Sequence, residues 1–325
     1  MKTIRIVGKY FDEDFITRAT PKGSKSWGDY EFTTDSISKC DYCIFLNNNN
    51  TEEIKVVCPP GNIWMFVQEP YQKGLTDWVI ERHNYFGKIF THLPVDESTK
   101  YIRSQTCLPW HIGKTYDQLS KTNASPKKDK LLSAIIGGSV FLPGHKLRQN
   151  FIKKVLDSDL PLELFGKNIR PIEDKAQGLE RYLFSFALEN NSNPDMWTEK
   201  LVDCFLSWTM PVYYGCTNLT KYFPPESFIQ IDINSPDAAI QELKTKLTQE
   251  FWESSLDSIR EAREIVLRKY QLFPFLVEQF QKHPRNGTAK RMNIPPYKRS
   301  RSAKLNRVCY KIRSSIHKRL SKSTW

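Results

Sequence analysis

Short apolar runs alternate with polar, helix-compatible stretches along the first 120 residues. Ile4–Val7, Tyr42–Leu46, Ile63–Val67 and Lys88–Phe90 read as strands. Strands at this spacing predict an α/β unit built on a parallel sheet. Asn47–Asn50 then falls at the C-terminal end of a strand, where open α/β sheets carry their sites. Residues 121–130 are polar and proline-bearing, the composition of a linker. The pattern then restarts. Leu131–Ile136 reads as a strand that leads through Gly137-Gly138-Ser139 into a helix from about Lys146 to Leu156. Leu162–Phe165, Arg181–Leu188, Pro211–Tyr214 and Phe228–Ile231 are further strands, and Thr198–Trp208 has helical spacing with Leu201, Phe205 and Trp208 on one face. Residues 253–283 are helical material, with a break expected near Pro274. The expected organisation is two α/β halves, 1–125 and 126–284, followed by a tail over 285–325.

Composition excludes whole-chain disorder, because 39% of the 325 residues are hydrophobic and 13% aromatic. The net charge of +12 suggests a nucleic-acid or membrane partner until its location is considered. Thirteen of the 48 Lys and Arg lie in residues 285–325, which contain no Asp or Glu. The other 284 residues carry 35 basic against 36 acidic side chains, a nearly neutral body. A basic, nucleic-acid-binding globular domain is therefore disfavoured. Within the tail, Leu305, Val308, Ile312, Ile316 and Leu320 recur at three- and four-residue spacing among lysines and arginines, with Tyr310 beside the stripe and Trp325 at the end. That is a basic amphipathic helix, suited over 302–320 to an anionic membrane surface. A disordered polycation on nucleic acid and a helix packed on another protein are the competing readings.

Met1–Gly8 reads as a strand rather than a signal peptide, and no apolar run approaches the roughly 20 residues of a membrane span. The expectation is a cytoplasmic protein, soluble or peripheral at the inner face of a membrane. Seven scattered cysteines fit reduced thiols. Cys40-Asp-Tyr-Cys43 lacks a second pair for a metal site and reads as part of a buried strand. Asp157-Ser-Asp159 sits between a helix and a strand, where turn chemistry accounts for it, so no metal site is expected.

The chemistry concentrates in Tyr182–Leu201. A strand ends in Glu189-Asn190, a polar loop follows, and a helix begins near Asp195–Thr198 with Glu199 and Lys200 in its first turn. Free N–H groups and the positive dipole end suit a phosphate there, and Lys200 adds a full charge. Glu199 suits sugar or ribose hydroxyls, while on local physics alone the stretch is an ordinary capped helix. The ordered residues Tyr182, Phe184, Glu189, Asn190, Thr198, Glu199 and Lys200, then Pro211, Val212 and Gly215, then Phe223, Pro225, Ser227, Phe228 and Ile229 resemble the signature of the α-1,3-fucosyltransferases, glycosyltransferase family 10. Gly137–Phe151 resembles the strand–loop–helix that carries the family's phosphate-binding arginine, here Arg148, and Leu164–Gly166 resembles the strand end that follows. Leu188, Asn191 and Met196 depart from the family's usual Phe, Ser and aromatic residue.

The resemblance implies a GT-B fold, two facing Rossmann-like domains with a cleft between them. It implies an inverting glycosyltransferase that moves fucose from GDP-fucose to a hydroxyl of an acceptor glycan such as lipopolysaccharide. Arg148 and Lys200 would take the diphosphate, and Asn190 and Glu199 the sugar or ribose hydroxyls; with these cations and the helix N-termini no metal or other cofactor is required for charge. The base should come from the N-terminal half. Glu69 and His92 rank first, ahead of Asp96 and Glu97, with His111 and His145 as weaker site candidates. The alternatives are the same fold with a different nucleotide-sugar donor, or a non-catalytic module that binds nucleic acid through its tail.

Overall fold

The computed structural model describes residues 1–9, 11–137, 143–167, 169–284 and 287–320. Gly138 and Ser139 of the glycine loop, and Trp325 at the end of the chain, lie outside the described residues. The chain divides into two units, Met1–Thr106 with Leu276–Trp325, and Cys107–Phe275.

In the first unit a seven-stranded sheet forms among the described residues. It takes β1 (Lys2–Val7), β2 (Ser26–Trp27), β3 (Tyr30–Thr33) and β4 (Tyr42–Leu46), and then β6 (Ile63–Phe66), β7 (Lys88–Thr91) and β8 (Tyr101–Arg103), with β5 (Ile54–Cys58) outside it. The order is β2-β3-β1-β4-β6-β7-β8, and all neighbours except β2 and β3 run parallel. Every residue of β4 and of β6 is buried, as central parallel strands covered on both faces require. Helix α1 (Glu13–Ala19) follows β1 and is capped by Asp12, whose carboxylate accepts the Phe15 N–H. Cys43 lies on β4, and Cys40, Cys43 and Cys58 share one buried cluster.

The second unit opens with α2 (Tyr116–Lys121), closed by a capping box of Thr115 and Gln118. Its parallel strands β9 (Lys130–Ile135), β10 (Leu162–Phe165), β11 (Tyr182–Leu188), β12 (Met210–Tyr214) and β13 (Ile229–Gln230) lie in the order β10-β9-β11-β12-β13. Helices α3 (Pro143–Leu156), α4 (Glu199–Leu206), α5 (Pro236–Lys246), α6 (Gln249–Ser254) and α7 (Leu256–Ile265) accompany it. Phe184, Phe186 and Leu188 of β11 join Phe151, Ile152 and Val155 of α3 in the core. The other face of β11 carries Ser185, whose hydroxyl receives the Ser133 hydroxyl of β9 at 2.9 Å, so that buried pair is satisfied. The strand order reverses direction between β9 and β11, which marks that edge as the place for a ligand.

The unit boundaries fall at 106/107 and 275/276 rather than near 125 and 284. Buried Arg263 of α7 explains the first shift. Its guanidinium donates to the carbonyls of Leu119, Thr122 and Leu206, which fixes the segment around α2 to the second unit. Phe280, on α8 (Leu272–Lys282), explains the second. Its ring packs at 4.2 Å from Tyr42, 4.9 Å from Tyr30 and 5.2 Å from Trp64, all in the first unit. The expected break near Pro274 falls at Gln271, whose extended backbone separates the wide turn Val266–Tyr270 from α8, and Pro274 occupies the first turn of α8. The basic segment is not all a free appendage either. Its β14 (Lys290–Ile294) pairs antiparallel with β5, and only then does α9 (Arg301–Leu320) begin.

Candidate active site

The C-terminal ends of β9, β10 and β11 open on a cavity of about 690 Å³ in the second unit. Ile135, Ile136 and Gly137 line it from β9, Gly166 and Lys167 from β10, and Asn190 from β11. His145 and Arg148 reach it from the first turns of α3, and Glu199 and Lys200 from the first turn of α4. Four side chains singled out from the sequence, Arg148, Asn190, Glu199 and Lys200, therefore converge on one cavity at the switch point of one sheet.

Local chemistry sets each of them. Arg148 donates from Nη1 to the Leu188 carbonyl at 2.9 Å, while its buried Nε has no partner among the described residues. The Oδ1 of Asn190 is likewise buried and unmatched among the described residues. Two orphaned polar atoms of opposite hydrogen-bonding sense in one cavity fit a polar ligand with both acceptors and donors. The α3 backbone approaches closely at Gly144, where a Cβ would lie only 1.8 Å from the Asn190 carbonyl oxygen. Glycine is what lets the helix start reach the end of β11.

Glu189 organises the facing helix. It is 1% exposed and accepts the Thr198 N–H at 2.8 Å and the Thr198 hydroxyl at 2.8 and 2.9 Å. Lys200 Nζ donates to Glu189 Oε2 at 3.2 Å, Thr198 Oγ1 at 3.0 Å and Glu199 Oε1 at 3.2 Å. These are all three donors of an ammonium. Burial alone would pull the Lys200 amine down; Glu189 and Glu199 outweigh it, so its pKa is raised and it stays charged. Burial would push the Glu199 carboxyl up, but Lys200, Lys175 and His111 hold it below the usual carboxylate range. Glu189 was visible in the sequence as part of the signature; its bracing role is a long-range packing fact that spacing does not reveal.

A second ion pair backs the site. Lys175 Nζ meets Asp203 Oδ2 at 3.0 Å and Glu199 Oε1 at 3.7 Å, and Asp203 Oδ1 accepts the His111 N–H at 2.7 Å. Lys175, His111 and Lys167 all line the cavity. Neither lysine had a sequence signal beyond its charge. His145 is buried, and desolvation together with Arg148 and Lys200 lowers its pKa to about 4, so it faces the cavity as neutral imidazole.

The two proposed proton acceptors lie in the first unit. Glu69 follows β6, and His92 follows the neighbouring strand β7. Glu69 is exposed, whereas His92 is 1% exposed. A group that takes a proton from an incoming hydroxyl has to be reachable, and of these two Glu69 is. Asp96 and Glu97 are exposed on the loop after His92. Asp159 of the Asp-Ser-Asp sequence pairs with Lys244 at 2.7 Å. Among the described residues no group of three or more His, Cys, Asp or Glu is arranged to hold a metal ion.

Residues 126–251 match the family described as glycosyltransferase family 10 (fucosyltransferase) C-term. The chain is 34% identical over 96 residues to the alpha-(1,3)-fucosyltransferase FucT of Helicobacter pylori, a stretch that covers 29% of this chain and 20% of that protein. It is 29% identical over 124 residues to the 4-galactosyl-N-acetylglucosaminide 3-alpha-L-fucosyltransferase 9 of Mus musculus, covering 37% of this chain and 34% of that one. The matches thus span between a fifth and about a third of these curated relatives. A crystal structure of an alpha1,3-fucosyltransferase with GDP superposes with a TM-score of 0.54 at 17% identity, covering 88% of this chain and 91% of that one. At that identity the likeness concerns the fold, and it places the chain in the α/β GT-B class.

Proposed function

We propose, because residues 126–251 match glycosyltransferase family 10, that this protein transfers fucose from GDP-fucose to a hydroxyl of an acceptor glycan. The observation that carries the reading is the convergence of Arg148, Asn190, Glu199 and Lys200 on the cavity at the β9/β11 switch point. The unmatched Arg148 Nε supplies a donor for a phosphate oxygen, and the α3 and α4 N-termini add their dipoles. Lys200 has no spare donor, so a diphosphate oxygen takes the place of Glu199 Oε1, the more exposed of its two carboxylate partners at 13% against 1%. The released Glu199 carboxylate then accepts from ribose or fucose hydroxyls, alongside Asn190.

The reaction proceeds with inversion. Glu69 takes the proton of the acceptor hydroxyl, whose oxygen bonds to the anomeric carbon as the bond from that carbon to the GDP oxygen breaks. GDP leaves carrying the electron pair, and the fixed cations stabilise it. The fucosyl centre passes through an oxocarbenium-like state. Glu69 is placed ahead of His92 in this role because His92 is 1% exposed. No metal is needed to neutralise the leaving group, since Arg148, Lys200, Lys175 and Lys167 already surround the cavity.

Peripheral attachment at the inner face of a membrane is part of the proposal. On α9 the side chains of Leu305, Val308 and Ile312 are 64%, 53% and 54% exposed, with Arg301, Lys304 and Lys311 exposed around them. An exposed aliphatic stripe among cations suits anionic lipid. Among the described residues no helix is long and apolar enough to cross a membrane. The acceptor proposed is a surface glycan such as lipopolysaccharide.

Transfer from GDP-fucose to a panel of terminal N-acetyllactosamine and glucose acceptors, followed by mass spectrometry, tests the reading. Glu69→Gln should lower transfer by about 100-fold or more while leaving GDP affinity unchanged. Transfer at the wild-type rate in Glu69→Gln would remove Glu69 as the base.

A further inference from the structure

The chain between β6 and β7 carries Glu69 and runs from Val67 to Gly87 without a long helix or strand of its own. A connection of this length needs outside contacts to hold one conformation. Asn47 and Asn48 supply some of them: Asn47 accepts the Gln68 N–H at 2.9 Å and Asn48 donates to the Glu81 carbonyl at 2.7 Å, and Trp78 and Val79 pack in the core. The C-terminal segment supplies the rest of the side-chain grip. Tyr297 and Ser300 donate their hydroxyls to the two oxygens of Glu81, at 2.7 and 2.6 Å. Arg82 Nη2 donates to the Pro295 carbonyl at 2.6 Å. Farther along, on α9, Asn306 Nδ2 donates to Asp77 Oδ1 at 3.2 Å, and Asp77 Oδ2 accepts the Gly74 N–H at 2.9 Å.

Gly74 has φ +84°, and a Cβ there would lie 2.5 Å from the Asn306 carbonyl oxygen. The helix backbone therefore rests directly on this turn. Thr76 closes the relay. Its hydroxyl accepts the Gln72 N–H at 2.7 Å and donates to the Pro70 carbonyl at 2.7 Å, one residue from Glu69. The contact face of α9 is Ala303, which is 1% exposed, with half-buried Asn306 and Tyr310. The apolar positions Leu305, Val308 and Ile312 point elsewhere, so the stripe is not what docks the helix.

We propose that residues 295–310 act as a strap that holds the Glu69 loop in its working geometry, with Glu81 and Asn306 as positioning residues. The inference rests on the reading of Glu69 as proton acceptor. Misplacing such a group by about 1 Å is enough to cost on the order of 100-fold in rate. The strap also gives the two faces of α9 separate tasks: one grips the loop, and the other is left for an external surface.

The test uses the full chain with Glu81→Ala, Glu81→Gln and Asn306→Ala, reading transfer kcat, GDP affinity, melting temperature and the rate of tryptic cleavage after Lys73. The expected result is a tenfold or larger fall in kcat for Glu81→Ala and Asn306→Ala, unchanged GDP affinity and faster cleavage after Lys73. Glu81→Gln, which keeps an oxygen acceptor, should recover most of the rate. Where Glu81→Ala does not fold, Tyr297→Phe removes one hydroxyl and carries the same expectation. Wild-type kcat in the alanine variants overturns the strap, and so does an equal loss in Glu81→Gln. Glu69→Gln in the same assay separates the two readings, because full transfer there overturns the base assignment whatever the strap variants do.

Discussion

At the scale of single residues, the second unit keeps its charges close to balance. Lys200 and Lys175 are each paired with two carboxylates, whereas Arg148 is tied to a backbone carbonyl. Removing Glu189 should therefore do more harm than its distance from solvent suggests. Glu189→Ala leaves half-buried Lys200 with one of its two carboxylates and the Thr198 N–H unmatched, and should destabilise the chain by about 3 kcal/mol, read by urea unfolding. His145 offers a pH prediction. Its folded pKa of about 4 lies below the 6.5 of a free imidazole, so the unfolded chain binds the extra proton first as pH falls. Stability attributable to this site is intact above pH 6.5 and is lost between there and pH 4. His145→Gln should flatten that slope, by about 1 to 3 kcal/mol over the window, in melts taken at successive pH values.

At the scale of elements, the start of α4 and the end of β11 were readable because their chemistry is local. Thr198 caps its own helix, and the Glu-Asn and Glu-Lys pairs sit at fixed spacing. The pairing of the C-terminal segment with the first unit was not readable. β14 pairs with β5 across more than 200 residues of chain, and nothing in Lys290–Ile294 marks it as a strand except a single alternation of Met292 and Ile294. The boundary at 106 was hidden for a related reason: the hydrogen bonds that fix α2 come from Arg263, far along the sequence. The approach of α3 to β11 also depends on one position. Gly144→Ala cannot keep a Cβ 1.8 Å from the Asn190 carbonyl, so α3 has to shift away from Asn190. GDP affinity should fall tenfold or more in this variant, with the helical circular-dichroism signal retained; unchanged affinity would show that the close approach is unimportant for binding.

At the scale of the whole molecule, eight of the thirteen tail cations, Lys290, Arg291, Lys298, Arg299, Arg301, Lys304, Arg307 and Lys311, lie in β14, in the segment after it and in α9. Flotation with vesicles of anionic and of neutral lipid tests what the exposed stripe is for. Binding to anionic vesicles should be lost in Leu305→Glu with Ile312→Glu, with transfer to a soluble acceptor retained, because those side chains face away from the grip on the Glu69 loop. Titration calorimetry of the purified chain against GDP, UDP and CMP reads the donor site directly. One GDP site is expected, with UDP and CMP bound tenfold or more weaker, and GDP affinity falling about 100-fold in Arg148→Ala and in Lys200→Ala. Absence of GDP binding, or full affinity in both variants, would contradict the donor-site assignment.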